Sequence, residues 1–291
     1  MASPSLAMDK SSSSSVSSSF IEESQEKPRA KENSKPLESY FRRHVVEQSV
    51  TCSEQELQQF RKNYPERVVK GSHFQSIARR TLNRTAEVLN KLDIPFVILG
   101  GTLLGWYREC GFIGHTTDLD IGVFASDFTP SMAKAFQDAG FALFRKFGNF
   151  GRYGFEYSWK REGCQVDIFP FYEENVTIWH STWLDAVCNG NICTGGSIYQ
   201  MVWPKPWEFA PTWFEGSKVL VPTDPDRWLS QLYGPDWRKP VESWHWVWSM
   251  FNLSDGKKPA GRYKGGTLPP FLTYKDAMSV NVTETRTDSF K

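Results

Sequence analysis

Charge of one sign is missing from this sequence. Its 34 basic and 33 acidic side chains leave a formal net charge of +1 over 291 residues, which argues against an electrostatic nucleic-acid binder or an acidic tail protein. Long apolar runs are missing too. The longest candidate, Phe96–Trp106, is broken by glycines and falls well short of the roughly 20 residues of a membrane span. The N-terminus has no basic start followed by an apolar stretch, so neither a signal peptide nor a transmembrane segment is expected. Cysteine is scarce. Cys52, Cys110, Cys164, Cys188 and Cys193 fit neither a disulfide-dense small domain nor a CxxC zinc knuckle. The short Cys188–Cys193 spacing permits a bridge in an oxidising lumen, and Cys110 and Cys164 read equally well as packed thiols. No internal repeat of about 20–50 residues is present. Aromatics, by contrast, are plentiful, with 12 Trp and 21 Phe. A core or a binding groove is built from them.

Residues 1–39 form a Ser-rich leader, with Ser11–Ser15 and Ser17–Ser19 followed by a Lys/Glu/Pro stretch. It offers almost nothing to bury and reads as disordered. A folded domain is expected over 40–255 and a loosely ordered tail over 256–291. Ser53 with Glu56 forms a capping box for a short helix that Pro65 stops. From Phe74 to Leu92 apolar residues recur at three and four, the mark of a helix with one buried face. Phe96–Leu99 reads as a central strand, and Thr102–Glu109 as a short helix closed near Gly111. Asp118–Phe124 alternates as a strand. Thr129, Pro130 and Gly140 bracket a further helix. Phe141–Phe147, Tyr153–Lys160 and Gln165–Phe171 are strand candidates. From Asn175 to Trp248 little periodicity shows, apart from a strand at Val219–Pro222 and a helix at Pro225–Tyr233. The order of elements predicts an α+β fold with a mixed sheet flanked by helices and an aromatic-rich C-terminal extension.

The strongest chemical signal is Asp118-Leu119-Asp120-Ile121-Gly122-Val123. On a strand, Asp118 and Asp120 share one face while Leu119, Ile121 and Val123 take the other. Two carboxylates so placed repel, and a hard divalent cation, Mg²⁺ or Mn²⁺, removes that cost. Asp167 in Gln165-Val166-Asp167-Ile168-Phe169 stands amid apolar neighbours and needs a partner. If its strand lies beside Asp118–Val123, three carboxylates converge to hold a metal or accept a proton. Gly100-Gly101-Thr102 leaves a strand and opens a helix, the geometry that presents backbone N–H groups to phosphate. Arg108 is the candidate cation for the same phosphate, with a surface ion pair as its plain alternative.

Leu99–Arg108, Gly111-Phe112-Ile113 and Asp118–Val123, taken in that order, resemble the LicD/fukutin family, nearest its eukaryotic branch through Gly105-Trp106-Tyr107-Arg108 and Phe136–Gly140. Val166–Phe169 with Phe171-Tyr172 is similar to the family's later acidic strand. Val221-Pro222, Trp228-Leu229 and Tyr233-Gly234 with Trp237 are similar to its C-terminal element. The resemblance implies a nucleotidyltransferase-like fold of the polymerase-β superfamily and a metal-dependent phosphotransferase. Asp118, Asp120 and Asp167 then take the catalytic and metal-ligand roles, and Gly100, Gly101, Thr102 and Arg108 bind the donor. Implied partners are a CDP-linked donor of an alditol or amino-alcohol phosphate, of CDP-ribitol type in the eukaryotic branch and CDP-choline type in bacterial members, and a glycan or glycoprotein acceptor in protein O-glycosylation. The implied compartment is the Golgi, with the cytoplasm as the alternative, since the Ser-rich leader stands where that branch carries a membrane anchor. One departure is His115-Thr116-Thr117, which stands where bacterial members usually carry a further acidic residue.

The expected reaction is attack of a glycan hydroxyl on the phosphorus bearing the alcohol, with CMP leaving. Trp203–Trp213 and Trp244–Trp248 either stack acceptor sugars or fill a core. The rivals are an Asp-x-Asp glycosyltransferase using a nucleotide-sugar, a non-catalytic partner of a glycosylation enzyme, and a cytosolic protein that keeps the fold alone. Four N-glycosylation sequons, at Asn83, Asn175, Asn252 and Asn281, hint at the secretory pathway.

Overall fold

The computed structural model describes residues 40–67, 73–148, 154–184, 186–194, 197–241 and 263–264. The leader expected over 1–39, the Trp244–Trp248 cluster and all but two residues of the tail expected over 256–291 lie outside the described residues.

The chain begins with α1 (Tyr40–Arg43), which seats Phe41 against Phe124, Phe171 and Phe209 with no surface exposed. Ser53 accepts the Glu56 N–H at 3.2 Å and starts α2 (Glu54–Asn63), and Pro65 opens a 3₁₀ turn just past its end. α3 (His73–Lys91) realises the expected periodicity by burying Ala78, Leu82, Val88 and Leu89 along one stripe. β1 (Phe96–Ile98) follows, buried throughout. The next helix, α4 (Gly100–Leu104), starts at Gly100 rather than at Thr102 and runs on as a π-helical turn over Gly105–Glu109. It closes near Gly111, as expected, with a left-handed cap at Cys110 (φ 49°), which is bridged to Cys52. β2 (Asp118–Phe124) and α5 (Pro130–Asp138) match the sequence reading.

β3 (Ala142–Gly148), β4 (Phe155–Arg161) and β5 (Cys164–Glu173) then form a meander. The stretch that lacks periodicity is in fact mostly strand: β6 (Thr177–Leu184), β7 (Val187–Asn189), β8 (Ile192–Thr194), β9 (Ser197–Pro204) and β10 (Phe209–Phe214), followed by β11 (Ser217–Pro222), which realises the strand expected at Val219–Pro222. Its alternation is hidden because apolar residues fill both faces, as in β10, where five of six side chains are buried. α6 (Pro225–Tyr233), capped by Asp224, and the short β12 (Tyr263–Lys264) complete the described fold.

These strands make one large mixed sheet in the order β10-β11-β1-β2-β5-β4-β3-β8-β7, with β6, β9 and β12 branching from β5. β1–β11, β2–β5 and β3–β8 are parallel, and the other pairs are antiparallel. The α+β expectation of a mixed sheet flanked by helices is met. β5 is the hinge of the layout. Its first half lies between β2 and β4, and its last residues turn away to pair with β6. One face of β2 and β5 carries Leu119, Ile121, Val123, Val166 and Ile168, all fully buried in the core. The other face carries the acids.

Candidate active site

The register of three strands gathers the carboxylates. Asp120 pairs with Asp167 across the parallel β2–β5 ladder, and Asp118 pairs with Gln165. Directly opposed residues share a face. Asp118, Asp120 and Asp167 therefore converge, with one oxygen of each within 4.8 Å of the others. The sequence expectation for these three residues is realised as a cluster.

The junction between β1 and α4 is built around Asp120. Leu99 N–H donates to the Asp120 carbonyl at 2.9 Å, and Asp120 N–H donates to the buried Thr102 hydroxyl at 2.9 Å. Gly101 N–H donates to Asp120 Oδ2 at 3.2 Å. The donors expected to face a phosphate are thus partly committed, with Gly101 and Thr102 orienting the carboxylate. Arg108 is committed further. Its buried guanidinium is ion-paired to Glu109, donates to the Trp237 carbonyl at 3.3 Å and lies over the Phe60 ring. Arg108 lines the cavity, yet Glu109 already occupies its fork.

Two residues that the sequence reading passed over belong to this face. Glu156 and Ser158 on β4 stand two apart, and Ser158 pairs with Asp167. Both are buried and line the cavity. The available signal was two polar residues at strand period in a segment adjoining an acidic strand. Gln165 completes the shell, its amide donating to both oxygens of Asp167 at 3.0 and 2.8 Å.

The electrostatics follow from crowding like charges out of water. Burial, then repulsion from Asp118 and Asp167, holds Asp120 well above the usual carboxylate range, against a small opposing pull from Gly101 N–H. Burial raises Asp118, and hydrogen bonds from its own and Thr117's backbone and from Thr116 resist the shift. Asp167 is pushed up to about 6 by burial, with Ser158 and Gln165 pulling it down. Glu156 is held well above its usual range by burial and by the charges of Asp167 and Asp120. Anionic oxygens that repel one another at this range are the donor set a hard divalent cation requires, so the residues present fit Mg²⁺ or Mn²⁺.

The acids form one side of a cavity of about 870 Å³. Phe169, His180, Trp203 and Trp228 line the same cavity. His180 stacks on Trp203, which stacks in turn on Trp228 at 4.8 Å. Burial lowers His180 to about 4, so it is neutral at pH 7. Of the tryptophans expected to meet sugars, Trp203 reaches the cavity wall, Trp207 is buried against Trp228, and Trp213 is 71% exposed.

Comparison with known proteins bears on this site. Residues 93–194, which include β1, β2 and the acidic part of β5, match the family model described as LicD/FKTN/FKRP, nucleotidyltransferase domain. The chain is 33% identical over 208 residues to the proteins named ribitol-5-phosphate transferase FKTN from Macaca fascicularis and Homo sapiens, an overlap of 70% of this chain and 42% of each relative. It is also 33% identical over 158 residues to an uncharacterised Caenorhabditis elegans protein, covering 52% of this chain and 39% of that one. The chain thus spans about two fifths of the length of the curated relatives it matches.

Proposed function

We propose that this chain, whose resemblance to the LicD/fukutin family is borne out over residues 93–194, is a metal-dependent phosphotransferase. It moves an alditol phosphate, of the ribitol 5-phosphate type, from a CDP-linked donor to a glycan hydroxyl. The observation that carries the reading is the convergence of Asp118, Asp120 and Asp167 within 4.8 Å on the wall of a cavity large enough for a nucleotide. The relatives' printed name supplies the alcohol.

Asp118, Asp120 and Asp167 would hold Mg²⁺ or Mn²⁺, which supplies neutralisation of diphosphate charge when bound. Gln165 and Gly101 orient two of those carboxylates. The acceptor hydroxyl oxygen bonds to the phosphorus bearing the alditol, the bond from that phosphorus to the CMP oxygen breaks, and CMP leaves with the electron pair. The hydroxyl proton passes to a carboxylate. Glu156, raised by burial and by the charges of Asp167 and Asp120, is one carboxylate placed for that task, and Asp167 is the other where it does not complete the metal shell. Phe169, His180 and Trp203 offer an aromatic wall for a base or a sugar ring.

The catalytic domain is assigned to residues 40–255. No helix among the described residues is long and apolar enough to cross a membrane. The pairs Cys52–Cys110 and Cys188–Cys193 support an oxidising compartment, in keeping with the Golgi as the place of action.

Titration calorimetry with CDP, UDP and GDP, each with Mn²⁺ or with chelator, tests this reading on the wild type and Asp120→Ala. Manganese-dependent binding that favours CDP and disappears in the variant is expected. Preference for UDP or GDP would transfer the site to a nucleotide-sugar glycosyltransferase. Equal binding by Asp120→Ala would end the metal assignment.

A further inference from the structure

β3 carries a bulge. Leu143 pairs with Trp159, but the next partner, Ser158, is taken by Arg145 rather than Phe144. One extra residue changes which side chains the rest of the strand presents to each face. Regular pairing would set Phe144 opposite Ser158 and send Arg145 to the other face. With the bulge, Arg145 joins a cross-strand row. It opposes Ser158, Ser158 opposes Asp167, and Asp167 opposes Asp120. The residues that follow obey the new phase. Phe147 pairs with Glu156 and lines the cavity, and Lys146 sits over Tyr157 on the opposite face.

Strand spacing of about 5 Å sets the Arg145 backbone two strands, roughly 10 Å, from that of Asp167. At that spacing the two side chains can share a bound diphosphate. Arg145 is exposed, lines the cavity and rests its guanidinium 4.5 Å from the Phe144 ring centre. Among the described residues no carboxylate pairs with it, whereas Arg108 is closed by Glu109. Four carboxylates share this face, and a nucleotide diphosphate adds further negative charge. A divalent cation at the Asp cluster meets one side of that ligand, and the far side needs a donor of its own.

We propose that Arg145, turned into the cavity by the β3 bulge, is the phosphate-binding cation of this site. It forks onto diphosphate oxygens remote from the Asp118–Asp120–Asp167 cluster. The proposal deepens the reading of the cavity as a site for a nucleotide-linked donor and rests on it.

Pyrophosphate and cytidine separate the two ideas, because one has no base and the other no phosphate. Both are titrated with Mn²⁺ present into wild type, Arg145→Lys and Arg145→Gln, and Mn²⁺ is titrated alone into each. Arg145→Gln is expected to weaken pyrophosphate about tenfold or more, and Arg145→Lys to restore part of the loss. Cytidine affinity stays unchanged in both, and Mn²⁺ binds Arg145→Gln at least as tightly as wild type, since a repelling cation is gone. A purely structural role would weaken all three ligands together and overturn the proposal. Unchanged pyrophosphate affinity in Arg145→Gln, or no pyrophosphate binding by wild type, would also overturn it. Wild type that binds pyrophosphate through Arg145 and shows no preference for cytidine nucleotides would refute the CDP donor and leave the role of Arg145 standing.

Discussion

The α-carbon of Gly100 lies against the carboxylate of Asp120, so that a β-carbon at position 100 would stand 2.4 Å from Asp120 Oδ2. Gly100 also holds a φ of +49°, which costs a side-chain-bearing residue about 1–2 kcal/mol. The glycine therefore does two things. It allows the turn out of β1, and it leaves the space in which Asp120 points at Asp118 and Asp167. Gly100→Ala is expected to lower unfolding free energy by about 1–3 kcal/mol and to weaken Mn²⁺ binding. Gly101→Ala, where the added carbon meets Asp120 Oδ2 only at 3.9 Å, is expected to leave manganese affinity near wild type. Calorimetric Mn²⁺ titration of the two variants checks the contrast. Equal effects would show that the close approach at position 100 is not what sets the carboxylate.

The crowded carboxylates make stability depend on pH in an unusual direction. Asp167 is held at about 6 in the folded chain, against about 3.9 when unfolded, and Asp118, Asp120 and Glu156 are also raised. A raised carboxyl binds its proton more tightly in the folded state. Its stabilising contribution is complete below about pH 4 and is lost as pH rises through about 6. The metal-free protein is thus expected to give up on the order of 2–3 kcal/mol from Asp167 between about pH 4 and 7. Manganese competes with those protons, so its affinity climbs over the same window. Melting curves at stepped pH, with chelator or with Mn²⁺, measure both effects. A metal-induced rise in Tm of the same size at pH 5 and pH 7 would contradict this account, and Asp167→Asn should flatten the slope.

Much of this site was legible because its chemistry sits in short, periodic strings. Asp118-Leu119-Asp120 declares a strand with an acidic face, and Val166-Asp167-Ile168 declares a second. Gly122 is legible only afterwards. A β-carbon there would fall 2.5 Å from the Phe171 ring, so the glycine lets that ring lie across β2. What local pattern does not show is which strands become neighbours. Glu156 and Ser158 look like ordinary half-exposed strand residues until β4 is known to pair with β5. Arg108 reads in sequence as a phosphate ligand or an ion-pair partner, from its place between Gly-Gly-Thr and Asp-x-Asp. Its partner Glu109 is its sequence neighbour, but its contact with the Trp237 carbonyl spans 129 residues. The bulge that brings in Arg145 has no glycine or proline to announce it. Val219–Pro222 was legible as a strand, whereas β10 before it was obscured by buried residues on both faces.

The two disulfides should differ in worth. Cys52–Cys110 closes a separation of 58 residues, and Cys188–Cys193 closes only 5. On loop-closure entropy the first stabilises by about 4 kcal/mol and the second by roughly half that. Cys110 also ends the π-helical turn that carries Arg108 and begins the segment from which Ile113, His115, Thr116 and Thr117 reach the cavity wall. Cys52→Ser with Cys110→Ser is therefore expected to cost about 2–4 kcal/mol in denaturant unfolding and to weaken nucleotide binding. Cys188→Ser with Cys193→Ser should cost less and leave binding intact. A larger loss from the second pair would mean that the small hairpin loop of β7 and β8, and not the α2–cavity link, carries the constraint.

Passage through the secretory pathway would also mark the chain chemically, and the structure separates the two sequons within the described residues. Asn83 lies on α3, where its side-chain oxygen accepts the Ser217 hydroxyl, and the threonine of its sequon, Thr85, is fully buried. An oligosaccharide there would have to displace a helix from the sheet. Asn175 is exposed in the turn between β5 and β6, next to Val176 at 73% exposure. A chain expressed behind a secretory leader is expected to carry a glycan at Asn175 and none at Asn83. Site-by-site peptide mapping after enzymatic deglycosylation reads this directly, and Asn175→Gln should abolish the signal at that position alone. Occupancy at Asn83 would require α3 to be undocked when the chain is modified. An empty Asn175 in a secreted, folded sample would show that this turn is covered as the chain emerges.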